Sequence, residues 1–254
     1  MNIRNINVPR SSENSIFTLQ HPQEYINAIK GKSIEPDFRI YILNPDETIY
    51  KEISDDLIYG LGSLTINYQQ GQRRSLNFAL DNSSKEYTPN PNNRKIWIGT
   101  KIRLDLGIKL KDGTIYYKQN GIFVVSDPVV TRHNAEEIVT IQCYDKFALL
   151  DGTLGGTIDA TWEISAGKNI RDAIQEILLL NDGTGNPYDS KLMFFDPQYL
   201  TTQTAYTVEK APGSSWGEMI IELADMIACD VYYNEFGNLV ISSGQSGPYL
   251  YQYK

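Results

Sequence analysis

Two alternating segments decide the fold of this chain: Leu64-Thr65-Ile66-Asn67-Tyr68 and, after a turn at 69–72, Leu76-Asn77-Phe78-Ala79-Leu80. Apolar and polar side chains alternate in both segments, which is the period of a β-strand with one buried face. The Gln-Gln-Gly-Gln turn between them reverses the chain. The sequence therefore predicts a β-hairpin that packs one face on a core.

The same pattern recurs on both sides of this hairpin. Residues 38–43 and 48–51 predict an earlier hairpin, and 102–108 followed by Asp112-Gly113 predicts a later one, because this dipeptide suits a tight primed turn. Further strands are expected over 121–125 and 138–150. We therefore expect a small β-barrel or β-sandwich domain over residues 35–150, in which closure would remove exposed strand edges.

The second half of the chain, residues 151–254, changes to a helical period. Ile170, Ala173, Ile174, Ile177 and Leu178 are spaced as on one face of an amphipathic helix. Ser215 and Glu218 form a capping box ahead of a second helix, and the segments 231–233 and 239–241 predict a hairpin. The fold class predicted for the whole chain is mainly β with an α+β second half, in which the β domain is followed by a helix-plus-hairpin domain.

The segments on either side of the β domain are predicted to be an N-terminal arm and a connection to the second domain. Residues 1–34 should form an N-terminal arm and a short helix that begins at Pro22, a residue well suited to a first helical turn. The glycine-rich segment 152–157 lacks the lysine of a phosphate-binding loop and is interpreted as a flexible connection between domains.

Charge is unevenly distributed along the 254 residues, whose net charge is −8. Residues 151–254 contain 5 Lys and Arg against 14 Asp and Glu, whereas the first 150 residues are close to neutral. A block this acidic repels nucleic-acid phosphates, so specific nucleic-acid binding is not expected. The N-terminus lacks the apolar core of a signal peptide and no segment suits a membrane span, so we expect folding in a cytoplasm and no membrane insertion.

Few residues in this chain are suited to catalysis. His21 and His133 are the two histidines, and neither has a Cys, His or carboxylate at ligand spacing. Cys143 and Cys229 lie in apolar segments and are predicted to be buried thiols without a disulfide. We therefore expect no enzyme activity, no metal site and no cofactor.

Two pairs of carboxylates could act as a glycosidase acid and nucleophile, namely Glu222 with Asp225 and Asp55 with Asp56. The first pair lies on the polar face of a capped helix, where solvation is the simpler explanation.

A long polar segment from Asp81 to Arg94 separates two predicted strands. It is too polar for a strand and too long for a simple turn, which favours a functional or interface loop. The candidate assembly residues in it are Asp81, Asn82, Tyr87, Pro89, Asn90, Pro91 and Arg94.

Several segments together resemble one protein family. They are residues 60–66, 76–82, 87–91, 96–99, 121–123 and 230–240, together with Cys143-Tyr144-Asp145-Lys146-Phe147. The segments of the first half are similar to the N-terminal part of bacteriophage tail hub proteins, also called baseplate hub or tail-tip proteins. Residues 230–240, with the capped helix before them, are similar to the helix-plus-hairpin unit near the end of the hub core. The resemblance covers about residues 20–245 and includes no catalytic motif.

The resemblance implies a structural virion component at the tail tip or baseplate, assembled in the bacterial host cytoplasm. The implied assembly is a homotrimer with two tube-like β domains in each subunit. Its implied partners are the tail tube or distal tail protein on one side and tip, spike or baseplate proteins on the other. DNA would pass through the ring without specific binding.

An acidic lining would let DNA pass a conduit without sticking, because a basic lining would bind it through counterion release. The candidate lumen carboxylates on the second domain are Asp159, Glu163, Asp172, Glu176, Asp189, Asp196, Glu209 and Asp230. They are expected to be exposed, with a subset facing the lumen.

A carbohydrate-binding module of a tail fibre or surface protein is the alternative function. Trp97, Trp162 and Trp216 could stack on sugar rings, although tryptophans at scattered positions are typical of cores and interfaces as well. A glycosidase is a third and more distant alternative.

Overall fold

The computed structural model describes residues 22–31, 34–68, 71–88, 95–133 and 136–243. Its α-helices are α1 (Gln23–Ile29), α2 (Ile170–Leu178) and α3 (Trp216–Asp225). The strands of the first half are β1 (Pro36–Leu43), β2 (Ile49–Glu52), β3 (Ser63–Ile66), β4 (Arg74–Asp81), β5 (Lys101–Lys109), β6 (Ile115–His133) and β7 (Glu136–Asp145). Those of the second half are β8 (Trp162–Ile164), β9 (Phe194–Phe195), β10 (Val208–Lys210), β11 (Asp230–Tyr233) and β12 (Leu239–Ser242).

The first half forms one seven-stranded antiparallel sheet in the order β2-β1-β5-β6-β7-β4-β3. The predicted hairpins are confirmed: β3 pairs with β4, β5 with β6, and β1 with β2. Alternation also sets the register, because Leu64 lies opposite Leu76 and Phe78 lies opposite Ile141. The mainly β fold class is therefore confirmed for this half.

The sheet is open, so the closed barrel expected from the sequence is wrong. Strands β2 and β3 are its two edges and do not pair with each other. The segment between them crosses the gap instead: Ile53 N donates to the carbonyl of Ile40 and Ile58 N donates to that of Ala79, each at 2.9 Å. A 3-10 helix at Ser54–Asp56 lies between these bonds, and its compact backbone cannot continue a β ladder.

One face of this sheet carries the first core. Alternate residues of the central strands are buried there, as period-two packing requires. Members of this core include Phe78, Leu80, Ile102, Phe123 and Ile141. The opposite face is largely polar but carries a small apolar group, Tyr41, Leu43 and Ile122.

The second half is α+β, as predicted. Helix α2 begins after Asn169, whose side chain accepts from Asp172 N at 3.1 Å. Helix α3 begins at the predicted capping box, where Ser215 Oγ accepts from Glu218 N at 3.1 Å and Glu218 accepts from Ser215 N at 3.2 Å. Both helices pack their apolar faces in a second core with the β11–β12 hairpin, and β9 extends that hairpin as a parallel third strand.

The segment 150–157 joins the two halves and is hydrogen-bonded rather than free. Gly217 N donates to the carbonyl of Leu150 at 2.7 Å, and Trp216 N donates to that of Gly156 at 2.8 Å. These bonds satisfy amides at the first turn of α3, which have no partner inside the helix. The flexible connection expected from the glycine content is therefore replaced by a fixed one.

Two further predictions concern the cysteines and membrane insertion. Cys143 and Cys229 are both free and buried, as predicted. Among the described helices, none is long and apolar enough to cross a membrane.

Candidate assembly surfaces

The two edge strands of the large sheet carry exposed apolar side chains. Ile49 and Tyr50 on β2, Leu61 just before β3 and Ile66 within it are between 41% and 59% exposed. The outer side of each edge strand has no strand partner within the described part of the chain. Apolar edge strands favour pairing or packing with another chain. These two edges are therefore the candidate subunit contacts of the first half.

The predicted assembly loop is anchored at its base by buried residues. Asn82 is fully buried, and its side chain donates to Thr88 Oγ1 at 2.7 Å and accepts from Tyr87 N at 2.8 Å. Tyr87 is also buried, and its hydroxyl donates to Asp56. Asn82 and Tyr87 therefore hold the loop in place and are not themselves exposed for a partner.

Asp81 is exposed and accepts a hydrogen bond from Ser83 N at 2.9 Å. Pro89, Asn90, Pro91 and Arg94 lie outside the described residues. An assembly contact by this loop stays a prediction.

Six of the eight candidate lumen carboxylates are exposed: Asp159, Glu163, Asp172, Glu176, Glu209 and Asp230. Three of them form ion pairs: Glu176 with Lys168, Asp230 with Arg73 at 3.3 Å and Asp172 with Arg171 at 3.9 Å.

Asp189 and Asp196 are buried, so their prediction as exposed lumen groups is wrong. Asp196 accepts from Gln198 N at 3.0 Å and from Ser243 N at 3.1 Å, which makes it a local structural acceptor. Asp189 pairs with the buried Lys146 at 2.8 Å. Composition could not reveal either role, because each partner is distant in sequence or a backbone amide.

The exposed carboxylates include one unusual pair. Glu163 on β8 lies directly opposite Glu209 on β10, while the neighbouring pair Ile164 and Val208 is buried on the other face. Like charges opposite each other on one face of a strand pair are destabilising. The structure therefore keeps two carboxylates together on an exposed face of the second half.

Two of the carboxylates considered for catalysis are engaged by other side chains, and one histidine is not described. Glu222 forms an ion pair with Lys210 at 2.8 Å, and Asp56 accepts from the hydroxyl of Tyr87. His21 lies outside the described residues. No group of three or more His, Cys, Asp or Glu side chains suited to a metal occurs in the described part of the chain.

Two of the tryptophans considered for carbohydrate binding, Trp97 and Trp162, are exposed, and Trp216 is buried. Trp162 is 39% exposed, and its ring packs edge-on against the buried Trp216, with ring centroids 5.1 Å apart. Tyr206 is exposed nearby and donates to Glu222 at 3.4 Å. The rigid ring of Trp162 could therefore serve as a stacking surface.

A buried ionic cluster that the sequence did not reveal lies where the two halves meet. Lys146 follows β7 and has a fully buried side chain, and its Nζ lies 2.7 Å from Glu47 Oε1 in the β1–β2 turn. The signal available in the sequence was weak: Lys146 follows Asp145 and precedes Phe147 and three more apolar residues. We name the group formed by Glu47, Lys101, Lys146, Asp189 and Lys191 the junction cluster.

No protein-family model matches this chain, and none of the curated proteins matches it either. Solved structures do. A tail protein from Neisseria meningitidis MC58 has a TM-score of 0.50 at 10% identity, covering 84% of this chain and 52% of that one. The 43 kDa tail protein of prophage MuSo2 from Shewanella oneidensis has a TM-score of 0.50 at 15% identity, covering 82% of this chain and 53% of that one.

A chain in the half-lidded Francisella PdpA-VgrG complex has a TM-score of 0.47 at 12% identity, which is too distant to support an argument. The chain spans about half the length of the two tail proteins. Because more than four fifths of this chain is covered in both cases, the expected resemblance is confirmed at the level of the fold: the chain has the fold of these tail proteins.

Proposed function

We propose that this chain is a structural component of a phage or phage-derived tail, and that it forms the hub between the tail tube and the distal tip or baseplate. The observation that carries the proposal is the fold it shares with two tail proteins over more than four fifths of its length. In this role the chain has no enzyme activity and needs no cofactor, because its contribution is shape and contact.

The hub is proposed to be a homotrimer that contacts a tube or distal tail protein on one face and tip, spike or baseplate proteins on the other. The two apolar edges of the large sheet support this, because a closed ring requires two different surfaces on each subunit. In a virion these edges would be covered, which removes the aggregation hazard of exposed edge strands.

DNA is proposed to pass through the ring, and the exposed carboxylates of the second half supply candidates for its lining. Glu163 and Glu209 are the most informative of these, because they stay adjacent despite their mutual repulsion. Replacing both by Lys should slow DNA ejection at low salt and have less effect at high salt, since salt screens the attraction to phosphates. Equal ejection rates for the wild type and the double Lys variant at low salt would show that this pair does not line the channel.

Oligomeric state tests the proposal on the purified protein. Light scattering should give three times the subunit mass of 28.8 kDa, alone or with the tube protein. Replacing Ile49 by Asp should abolish this species, whereas Leu179→Asp should not, because Leu179 is comparably exposed but lies at the end of α2. If the wild type is a monomer both alone and in the presence of the tube protein, the hub proposal is contradicted.

A carbohydrate-binding module of a tail fibre or surface protein is the second candidate, favoured by the exposed ring of Trp162. It predicts that the monomer binds glycans and that Trp162→Ala abolishes binding. If the chain is a hub, neither the wild type nor Trp162→Ala should bind glycans.

A further inference from the structure

Glu47 is a residue of the first half whose carboxylate also pairs with a lysine of the second half. It lies in the turn between β1 and β2, and its carboxylate is only 4% exposed. One oxygen lies 2.7 Å from Lys146 Nζ, and the other lies 2.6 Å from Lys191 Nζ. Lys101 of β5 approaches the first oxygen at 2.9 Å.

Two of the three lysines around Glu47 also bind groups of the second half. Lys146 Nζ donates to the carbonyl of Gly237 at 2.9 Å and lies 2.8 Å from Asp189 Oδ2. Lys191 Nζ donates to the carbonyl of Phe236 at 2.8 Å. The turn between β11 and β12 therefore positions both lysines independently of Glu47.

The backbone of Glu47 also has an uncommon conformation. Its φ is +67°, a left-handed conformation that costs energy for a residue with a side chain. Burial opposes ionisation, but the charges of Lys146 and Lys101 outweigh it and lower the pKa of Glu47 to about 2. Glu47 is therefore a strained, charged and buried residue at the place where the halves meet.

Stability alone is a poor explanation for this arrangement. Buried ion pairs lose their hydration, and replacement of a whole buried network by neutral side chains is often neutral or stabilising. Such networks can instead specify geometry, because only one arrangement pairs every charge. In any other orientation of the two halves, Lys146 would be separated from Asp189 and Glu47 from Lys191, which would leave buried charges incompletely paired.

The other contacts between the halves include the connection at Leu150 and Gly156 and a group along β11 and the turn that follows it. Gly71 N donates to the carbonyl of Val231 at 2.9 Å, and Arg73 pairs with Asp230 at 3.3 Å while its guanidinium lies over the ring of Tyr232. Arg74 and Lys118 of the large sheet also pair with Glu235 in the turn after β11, at 3.9 and 3.7 Å, and these pairs are partly exposed, whereas the junction cluster places buried charges between the halves.

We propose that the junction cluster is a lock that fixes the orientation of the second half on the large sheet, with Glu47 as the group that inserts between Lys146 and Lys191. The lock is independent of the proposed hub function, because it concerns one subunit. Loss of the lock widens the range of orientations without unfolding either half.

The test measures a distance between the two halves. Spin labels at Lys111→Cys and Thr161→Cys place one probe on each half at exposed positions, and the buried Cys143 and Cys229 stay unlabelled. The neutral triple variant Glu47→Gln, Lys146→Met, Asp189→Asn removes the lock without leaving a buried charge in place of those three. Its distance distribution should be about twofold wider than that of the wild type, with cooperative unfolding retained.

The matched control removes an ion pair within one half: Lys168→Met with Glu176→Gln, a pair at the surface of the second half. Its distances should equal those of the wild type. A triple variant with an unchanged distance distribution overturns the lock, and so does one that no longer folds, since the cluster would then be required for stability. If the single variant Glu47→Gln fails to fold, the triple variant still decides the question.

Discussion

Glu163 and Glu209 face each other across the β8–β10 pair, with their side chains on the exposed face of a two-stranded sheet. On the opposite face the adjacent pair, Ile164 and Val208, is buried in the second core. The apolar pair thus holds the strands together against the repulsion of the two carboxylates.

Replacing Glu209 by Lys should stabilise the protein, because an attractive cross-strand pair replaces a repulsive one. Opposite charges at such positions contribute roughly 0.2–1 kcal/mol, and like charges cost a similar amount. Urea unfolding at low salt should show a higher midpoint, and the gain should shrink at high salt. The control is Glu176→Lys, which destroys an ion pair with Lys168 and should not stabilise. An unchanged midpoint for Glu209→Lys would show that the two carboxylates do not repel.

Acid should weaken the wild type through Glu47. The pKa of this group is about 2 in the folded protein against 4.5 for the unperturbed group, so its ionisation stabilises the fold above pH 4.5. That contribution, on the order of 3 kcal/mol, is lost as the pH falls from 4.5 to 2.

The variant Glu47→Gln should therefore differ most from the wild type at pH 7 and least near pH 2, as measured by chemical unfolding. Glu176→Gln, at an exposed position, should show a small difference that does not vary in this way. A pH-independent difference for Glu47→Gln would contradict the ionic role of Glu47.

The sequence predicts local structure well where one period governs a segment. The hairpins β3–β4 and β5–β6, helix α2 and the capping box of α3 all follow from spacing or from neighbours a few residues apart. Pairing within such units needs only local information. For that reason the fold class could be predicted without any long-range contact.

Contacts between distant residues could not be predicted in this way. Nothing in the β1–β2 turn indicates that Glu47 reaches Lys146, which is 99 residues later. The parallel pairing of β9 with β12 involves only two residues of β9, too few to show a period. Likewise, the closed barrel failed because closure depends on how β2 ends, and that is decided by the compact turn at Ser54–Asp56.

Gly156 should be more sensitive to substitution than other glycines with a similar backbone. Its φ is +81°, and a Cβ added there would lie 2.5 Å from backbone atoms of Leu150. Gly213 has a φ of +90° with open space around the same position.

Gly213→Ala should therefore cost only the left-handed strain of roughly 1–2 kcal/mol, and Gly156→Ala clearly more, because backbone must move. Thermal unfolding of both variants measures the difference. Equal shifts would mean that the connection between the halves is looser than described.

The loop that begins at Asp81 should separate folding from assembly. Asn82→Ala should destabilise the protein by about 1–3 kcal/mol, because buried partners including Tyr87 N lose a hydrogen bond. Deletion of residues 90–93 should leave the unfolding temperature nearly unchanged and block particle assembly. Normal assembly after this deletion, or unfolding caused by it, would refute the assembly role.

The most direct measurement of the central claim is a cryo-EM reconstruction of the intact particle that contains this chain. The account predicts three copies around the tail axis at the distal end of the tube, with apolar strands β2 and β3 covered and Glu163 and Glu209 facing the channel. A position on a side fibre or a single copy away from the axis would contradict the hub.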